Sequence, residues 1–197
     1  MPNTDAPFGF RYCGRQEGGS PTEGLTSRLV SSTYGTAIFQ GDPVISLTSG
    51  YIAVATSNAV TIAGIFNGTE YLNSNVGRKV WFNSLPATGV GGDAKAYLSN
   101  DPDALFVVQA NGSAIPFSAI GGNAQFAAGT GDSSTGISEY SLVSTTAGST
   151  LNTMPFRIVG LWSQYAPPGS PGTDDTYSFN WVVVTLNNTD RNQLTGV

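Results

Sequence analysis

Two pairs of carboxylates, Asp101 with Asp103 and Asp174 with Asp175, are the closest-spaced acids in this chain. Two acids about 5–10 Å apart are enough for glycoside hydrolysis, one protonating the leaving oxygen and the other serving as base or nucleophile. The local sequence favours a plainer role for both. Asp101-Pro-Asp103 stands just before an apolar run, where Asp fastens a turn through its own side chain. Asp174-Asp175 falls in a Pro/Gly-rich loop and reads as solvated. Neither pair has the spacing of an EF-hand calcium loop. The chain has no histidine, so no Ser-His-Asp or Cys-His arrangement is possible. Its single cysteine, Cys13, can build neither a zinc site nor an intrachain disulfide. The glycine-rich stretch 89–93 lacks the strand–turn–helix setting of a nucleotide loop and reads as a plain loop. The expectation is a protein that binds and assembles and is not an enzyme, with no cofactor and no metal.

Composition points the same way. Charged residues make up 11 % of the 197, against roughly 25 % in an ordinary soluble domain. Polarity comes from Ser, Thr and Asn, among 25 glycines and 11 prolines, a mixture suited to short strands joined by turns. With 40 % hydrophobic residues, the chain has enough apolar surface to offset the entropy of ordering. A net charge of −5 argues against coating nucleic acid, which calls for clustered cations. No stretch approaches the ~20 apolar residues of a membrane span, and the N-terminus lacks the basic and apolar regions of a signal peptide. No membrane and no nucleic acid are therefore expected among the partners, and synthesis is expected in the cytoplasm.

The elements that would position any site read as β throughout. Strand signals cover Thr36–Gln40, Val44–Leu47, Tyr51–Ala55, Val60–Phe66, Lys79–Phe82, Ala94–Leu98, Ala104–Ala110, Ala124–Ala128, Ser138–Val143, Phe156–Trp162 and Phe179–Leu186. Asn67-Gly68 and Asn111-Gly112 are tight-hairpin signals, because both residue types tolerate positive φ. They also begin two of three sequons, the third being Asn187-Asn-Thr189, and are better explained as turns than as glycan sites. Ala114–Ile120 allows one helical turn. Trp81, Trp162 and Trp181 suggest a sugar-stacking platform, but each lies in an apolar β run, which favours a core or interface role. Eleven or twelve strands without amphipathic helices between them predict an all-β sandwich or barrel.

Residues 1–28 read differently. Gly14, Gly18, Gly19, Pro21 and Gly24 punctuate them, and no sustained periodicity runs through. They are expected to form an extended N-terminal arm, followed by one β domain over 29–197. Phe8, Phe10 and Tyr12 would be its aromatic anchors, and Arg11, Arg15 and Arg28 its cations, docking together on an acidic neighbour. Deleting the arm should then leave a folded core.

Several segments, in order, resemble a group of tailed-phage virion proteins. They are 3–11 (NTDAPFGFR), 41–44 (GDPV), 62–68 (IAGIFNG), 100–109 (NDPDALFVVQ), 135–138 (TGIS), 156–162 (FRIVGLW) and 182–188 (VVVTLNN). The chain is similar to the capsid cement, or head decoration, proteins of short-tailed and related phages. The resemblance implies an all-β subunit on the outer face of an icosahedral shell, bridging copies of the major capsid protein as a dimer or trimer. A jelly-roll-like β-sandwich is the fold it favours, with a small β-barrel or β-tulip carrying appended strands as the alternative. A fibre-type module that binds host carbohydrate is the competing virion role.

Overall fold

A computed structural model of the chain describes residues 3–16 and 24–191. The remaining residues of the expected arm and of the expected β domain, 1–2, 17–23 and 192–197, lie outside the described residues. Thirteen strands and three single 3-10 turns account for the regular structure, and no α-helix occurs among the described residues. The strands are β1 (Arg11–Arg15), β2 (Leu25–Val30), β3 (Pro43–Ser46), β4 (Ile52–Val54), β5 (Gly64–Asn73), β6 (Arg78–Phe82) and β7 (Ala94–Ser99). They continue as β8 (Ala104–Gln109), β9 (Asn123–Ala124), β10 (Phe126–Ala127), β11 (Ser141–Leu142), β12 (Phe156–Leu161) and β13 (Trp181–Leu186). The strands pair antiparallel in three sheets, none closed into a barrel, as in a β-sandwich.

The five-stranded sheet runs β1-β8-β13-β12-β9. Its centre is the pair that the sequence marks most strongly, ALFVVQ in β8 against WVVVTL in β13. Phe106, Val108, Val182 and Val184 point from one face into a core shared with Ile65 of the other large sheet and with Ile62 in the segment before it. That second sheet runs β2-β7-β5-β3-β4, with β6 on the far end of β5. It is apolar on both faces. Ile65 enters the shared core, while its neighbour Phe66 enters a second one with Val30, Ile38, Ile52, Leu85 and Leu98. Alternation along a strand sends consecutive side chains to opposite faces, so two successive buried residues require cover on both sides.

Residues 3–16 are woven into the body rather than standing off it as an arm. Arg11–Arg15 adds to the edge of the five-stranded sheet, pairing with β8 around a bulge at Cys13. Leu25–Val30 pairs along its full length with β7. The segment is held on its way in by Gly9 N–H donating to the Tyr140 carbonyl and Phe10 N–H to that of Gly41. Gly9 has φ +71°, and a Cβ there would lie 2.4 Å from the Ser138 Cβ, so only glycine fits that crossing. Phe10 stacks on Phe156 with centroids 4.2 Å apart, and Phe8 meets Trp181 edge to face at 4.6 Å. The physical reason for the difference is that these aromatics find partners in β8, β12 and β13, far along the chain, which local sequence cannot reveal.

A second departure concerns Asn67-Gly68. No hairpin forms there: the pair sits inside β5, at the register shift between Phe66 and Gly68. The β5–β6 turn falls later, over Ser74–Gly77. Continuous pairing of β5 with β7 outweighs the local turn preference and leaves a bulge instead. Asn111-Gly112 does turn the chain just after β8, with Gly112 at φ +102°, but the next strand, β9, pairs with β12 and not with β8, so no tight hairpin forms there either.

Candidate functional site

The expected binding residues are dispersed and mostly engaged within the chain. Phe8 and Phe10 are buried, and Tyr12 is half-buried against Phe106. The Arg11 guanidinium lies over the Phe8 ring, 4.7 Å from its centroid. Arg15 sits 3.1 Å from Asp101 and 3.6 Å from Asp103, so the first carboxylate pair fixes an edge strand to the turn before β8. Asp101 also caps the Asp103 N–H, as the turn reading requires. Arg28 is 3.9 Å from Asp190. The anchors and cations of the expected arm are thus spent inside the fold, and they do not form one docking surface.

The second acid pair is also structural. Asp174 accepts from the backbone N–H and the hydroxyl of Thr176, which together hold its carboxyl below the usual range. Asp175 accepts from Ser163 Oγ. Both line a cleft of about 670 Å³ with Asn3, Gln109 and Trp181. Trp181 offers no open stacking face there, since Gly172 lies against the indole ring and Phe8 meets it edge-on. Among the described residues, no group of three or more Cys, Asp or Glu side chains comes together to hold a metal. Cys13 sits in the β1 bulge. Its residue surface is open, yet atoms crowd the thiol, and desolvation pushes it up to about 11, leaving little thiolate at neutral pH.

Asp42 is a buried titratable group that local sequence did not single out beyond its turn. It is 2 % exposed, and Oδ2 accepts the Phe39 N–H at 2.8 Å. Oδ1 has no well-formed hydrogen bond, although the nearby Ser138 hydroxyl offsets part of the cost of burial. Desolvation raises this carboxyl to about 6. The folded state therefore holds the proton more tightly than the unfolded chain does. The stabilisation is complete below about pH 4 and fades as pH climbs through 6. At 1.36 kcal/mol per unit, its size is about 2–3 kcal/mol. Denaturant titrations of the wild type and of Asp42→Asn from pH 4 to 7 should therefore diverge. The wild type should lose that amount relative to the variant, and parallel curves would contradict the assignment.

The feature that stands out as a site is an aromatic ridge on the six-stranded sheet. Cross-strand partners share a face, so register alone assembles it. Leu29, Lys95, Glu70 and Trp81 form one row across β2, β7, β5 and β6. Ser27, Tyr97 and Gly68 form the next row, and Leu72 with Lys79 the row beyond. Trp81 is 60 % exposed, Leu29 48 % and Leu72 38 %, and Val76 in the β5–β6 turn is 58 % exposed. Farther along the same face, Ile65 is covered by the other large sheet. The face passes from buried to open between Ile65 and Glu70, where the sheet extends past its partner.

Polar contacts hold the ridge in shape. Glu70 receives Lys79 Nζ at 3.5 Å and the Tyr97 hydroxyl at 3.4 Å. Lys95 Nζ lies 5.4 Å from the Tyr97 ring centroid. Gly68 lets the indole lie against the strand, because a Cβ there would come within 2.6 Å of Trp81 Cζ2. The sequence placed Trp81 in a core or interface; its exposure rules out the core. Leu29, Leu72, Tyr97 and Val76 went unnoticed as a set, because only the pairing of four strands brings them together. Comparison with known proteins adds no relative: no family model, no curated protein and no solved structure matches this chain.

Proposed function

We propose that this chain is a structural subunit that attaches to a larger protein assembly through the β5–β6 ridge, and that the assembly is a phage head. One observation carries the attachment: Trp81, 60 % exposed, is fixed on a sheet whose same face carries Leu72 on the adjacent strand, Tyr97 on the next and Leu29 on the one beyond. Exposed aromatic and aliphatic side chains on a rigid, flat element are what a buried interface core requires. Holding them on a sheet also keeps the ordering cost of docking low. The choice of a phage head rests on the resemblance of the ordered segments to capsid cement proteins. In that setting many copies act together, so a modest contact per subunit suffices to brace the shell. The major capsid protein is the partner in this reading, and the chain serves no catalytic purpose.

The test is co-sedimentation of the purified chain with heads of the phage that encodes it, stripped of this subunit. Saturable binding at a fixed number of copies per shell is the expected result. Heads that leave the chain in the supernatant at micromolar concentration would refute the reading.

A further inference from the structure

We propose that a crevice at the foot of the ridge receives an uncharged, amide-bearing stretch of the partner protein, presenting a main-chain peptide group or an Asn or Gln side chain. This rests on reading the ridge as the attachment face and adds the chemistry of what that face holds. The crevice, of about 390 Å³, lies where the six-stranded sheet emerges from under the five-stranded one. Tyr12 of the edge strand β1 walls one side, and Ile65 of β5 with Ser99 of β7 the other, with Gln40, Asn67 and Ile137 alongside. Ile65 and Ser99 are cross-strand partners. Ser99 shares a face with Tyr97, two residues earlier on β7, so the crevice continues the ridge.

Its polar groups are neutral and unspent. The β5–β7 ladder passes from Phe66–Leu98 to Gly68–Tyr97 and skips Asn67, whose side chain meets that of Gln40 at 2.8 Å. Gln40 is itself fixed, its N–H donating to the Gly136 carbonyl and its carbonyl accepting the Ser138 N–H. One hydrogen bond between two carboxamides leaves an oxygen and N–H groups over, whichever way round the two are taken, and no other described group answers them. The Tyr12 hydroxyl is enclosed without a hydrogen-bond partner. Arg11 is the only charged residue along the crevice, and alternation carries its side chain to the opposite face of β1, where the guanidinium lies over Phe8. An ionic occupant would find no counter-charge there, and a wholly apolar one would strand the carboxamides. A peptide amide brings one donor and one acceptor, which is what the Gln40–Asn67 pair leaves unanswered. Because the pair is held by the fold, little ordering cost falls on it when the partner arrives.

The test is sedimentation of the full chain with stripped heads, comparing the wild type with Gln40→Met, Asn67→Leu and Trp81→Asp and recording each unfolding midpoint. Gln40→Met and Asn67→Leu keep the side chains near their size and remove the carboxamides. Each should weaken attachment about tenfold at a nearly unchanged midpoint. Ile137→Trp reaches the same readout by filling the crevice, and it should weaken attachment at least as much. Occupancy equal to that of the wild type in these variants overturns the proposal. If Trp81→Asp alone is weakened, the crevice is empty in the assembly and the attachment reading stands. A wild type that does not bind heads defeats both readings together. Displacement of the wild type from heads by an excess of free galactose or glucose would give the crevice to a sugar and also overturns the proposal.

Discussion

Replacing Trp81 by Asp is expected to weaken attachment to phage heads by about 30-fold or more per site, while leaving the fold intact. An aromatic residue at the centre of an interface is worth about 2 kcal/mol or more on truncation, and each 1.4 kcal/mol is tenfold in affinity. Stability should hardly change, because the indole is 60 % exposed and touches its own chain mainly at the Gly68 strand. Sedimentation of the variant with stripped heads measures the first effect, and thermal unfolding checks the second. Occupancy equal to that of the wild type would remove Trp81 from the interface. The variant is best compared at subsaturating concentration, because avidity across the shell masks a loss at single sites.

Phe10→Ala should have the opposite signature. Phe10 is 2 % exposed and stacked on Phe156, at the point where the incoming N-terminal segment meets the shared core. Truncating a buried Phe costs about 3–5 kcal/mol from lost transfer energy and the cavity left behind. For a domain of this size the melting midpoint should fall on the order of 10 °C. Deletion of residues through Arg15 should be more severe. It removes the edge strand on β8, the Gly9 and Phe10 backbone hydrogen bonds, and the ion pairs to Asp101 and Asp103. A truncated chain that kept its cooperative unfolding would show that the segment is dispensable for folding, as an arm would be.

The contrast between Trp81 and Phe10 shows what could be read from sequence. Both are aromatic residues in short β-like stretches, and their types alone suggest the reverse of their placement. Phe10 lies in a glycine-punctuated segment without periodicity, so it reads as peripheral. It is central because its partners, Phe156 and the Gly41 carbonyl, arrive from distant strands. Trp81 follows Lys79-Val80 and reads as part of an apolar run, yet the end of β5 and β6 extends beyond the cover that buries Ile65. The all-β class was legible, because Val183 and its neighbours, like Ala104–Gln109, are too short and too apolar to be anything but covered strands.

Other features depended on pairing. Asn67-Gly68 was misread because the partner strand sets the conformation of a bulge. The Asn180 side chain both accepts from and donates to the Ile115 backbone, and no local pattern announces that link. Asp101 with Asp103 was legible as turn chemistry, because an Asx turn is written within three or four residues; Asp174 with Asp175 read as solvated, and the link from Ser163 to Asp175 depends on a distant segment. The exposed ridge was not legible, since exposure is a property of sheets packed together; the residues expected to dock, Phe8 and Phe10 among them, lie buried in the fold.

The most direct measurement is a cryo-electron microscopy reconstruction of the phage head carrying this chain. Attachment through the ridge predicts density for the subunit on the outer shell, with Trp81 and the β5–β6 hairpin facing the capsid protein. A subunit seated with that hairpin toward solvent, or found on the tail alone, would contradict it.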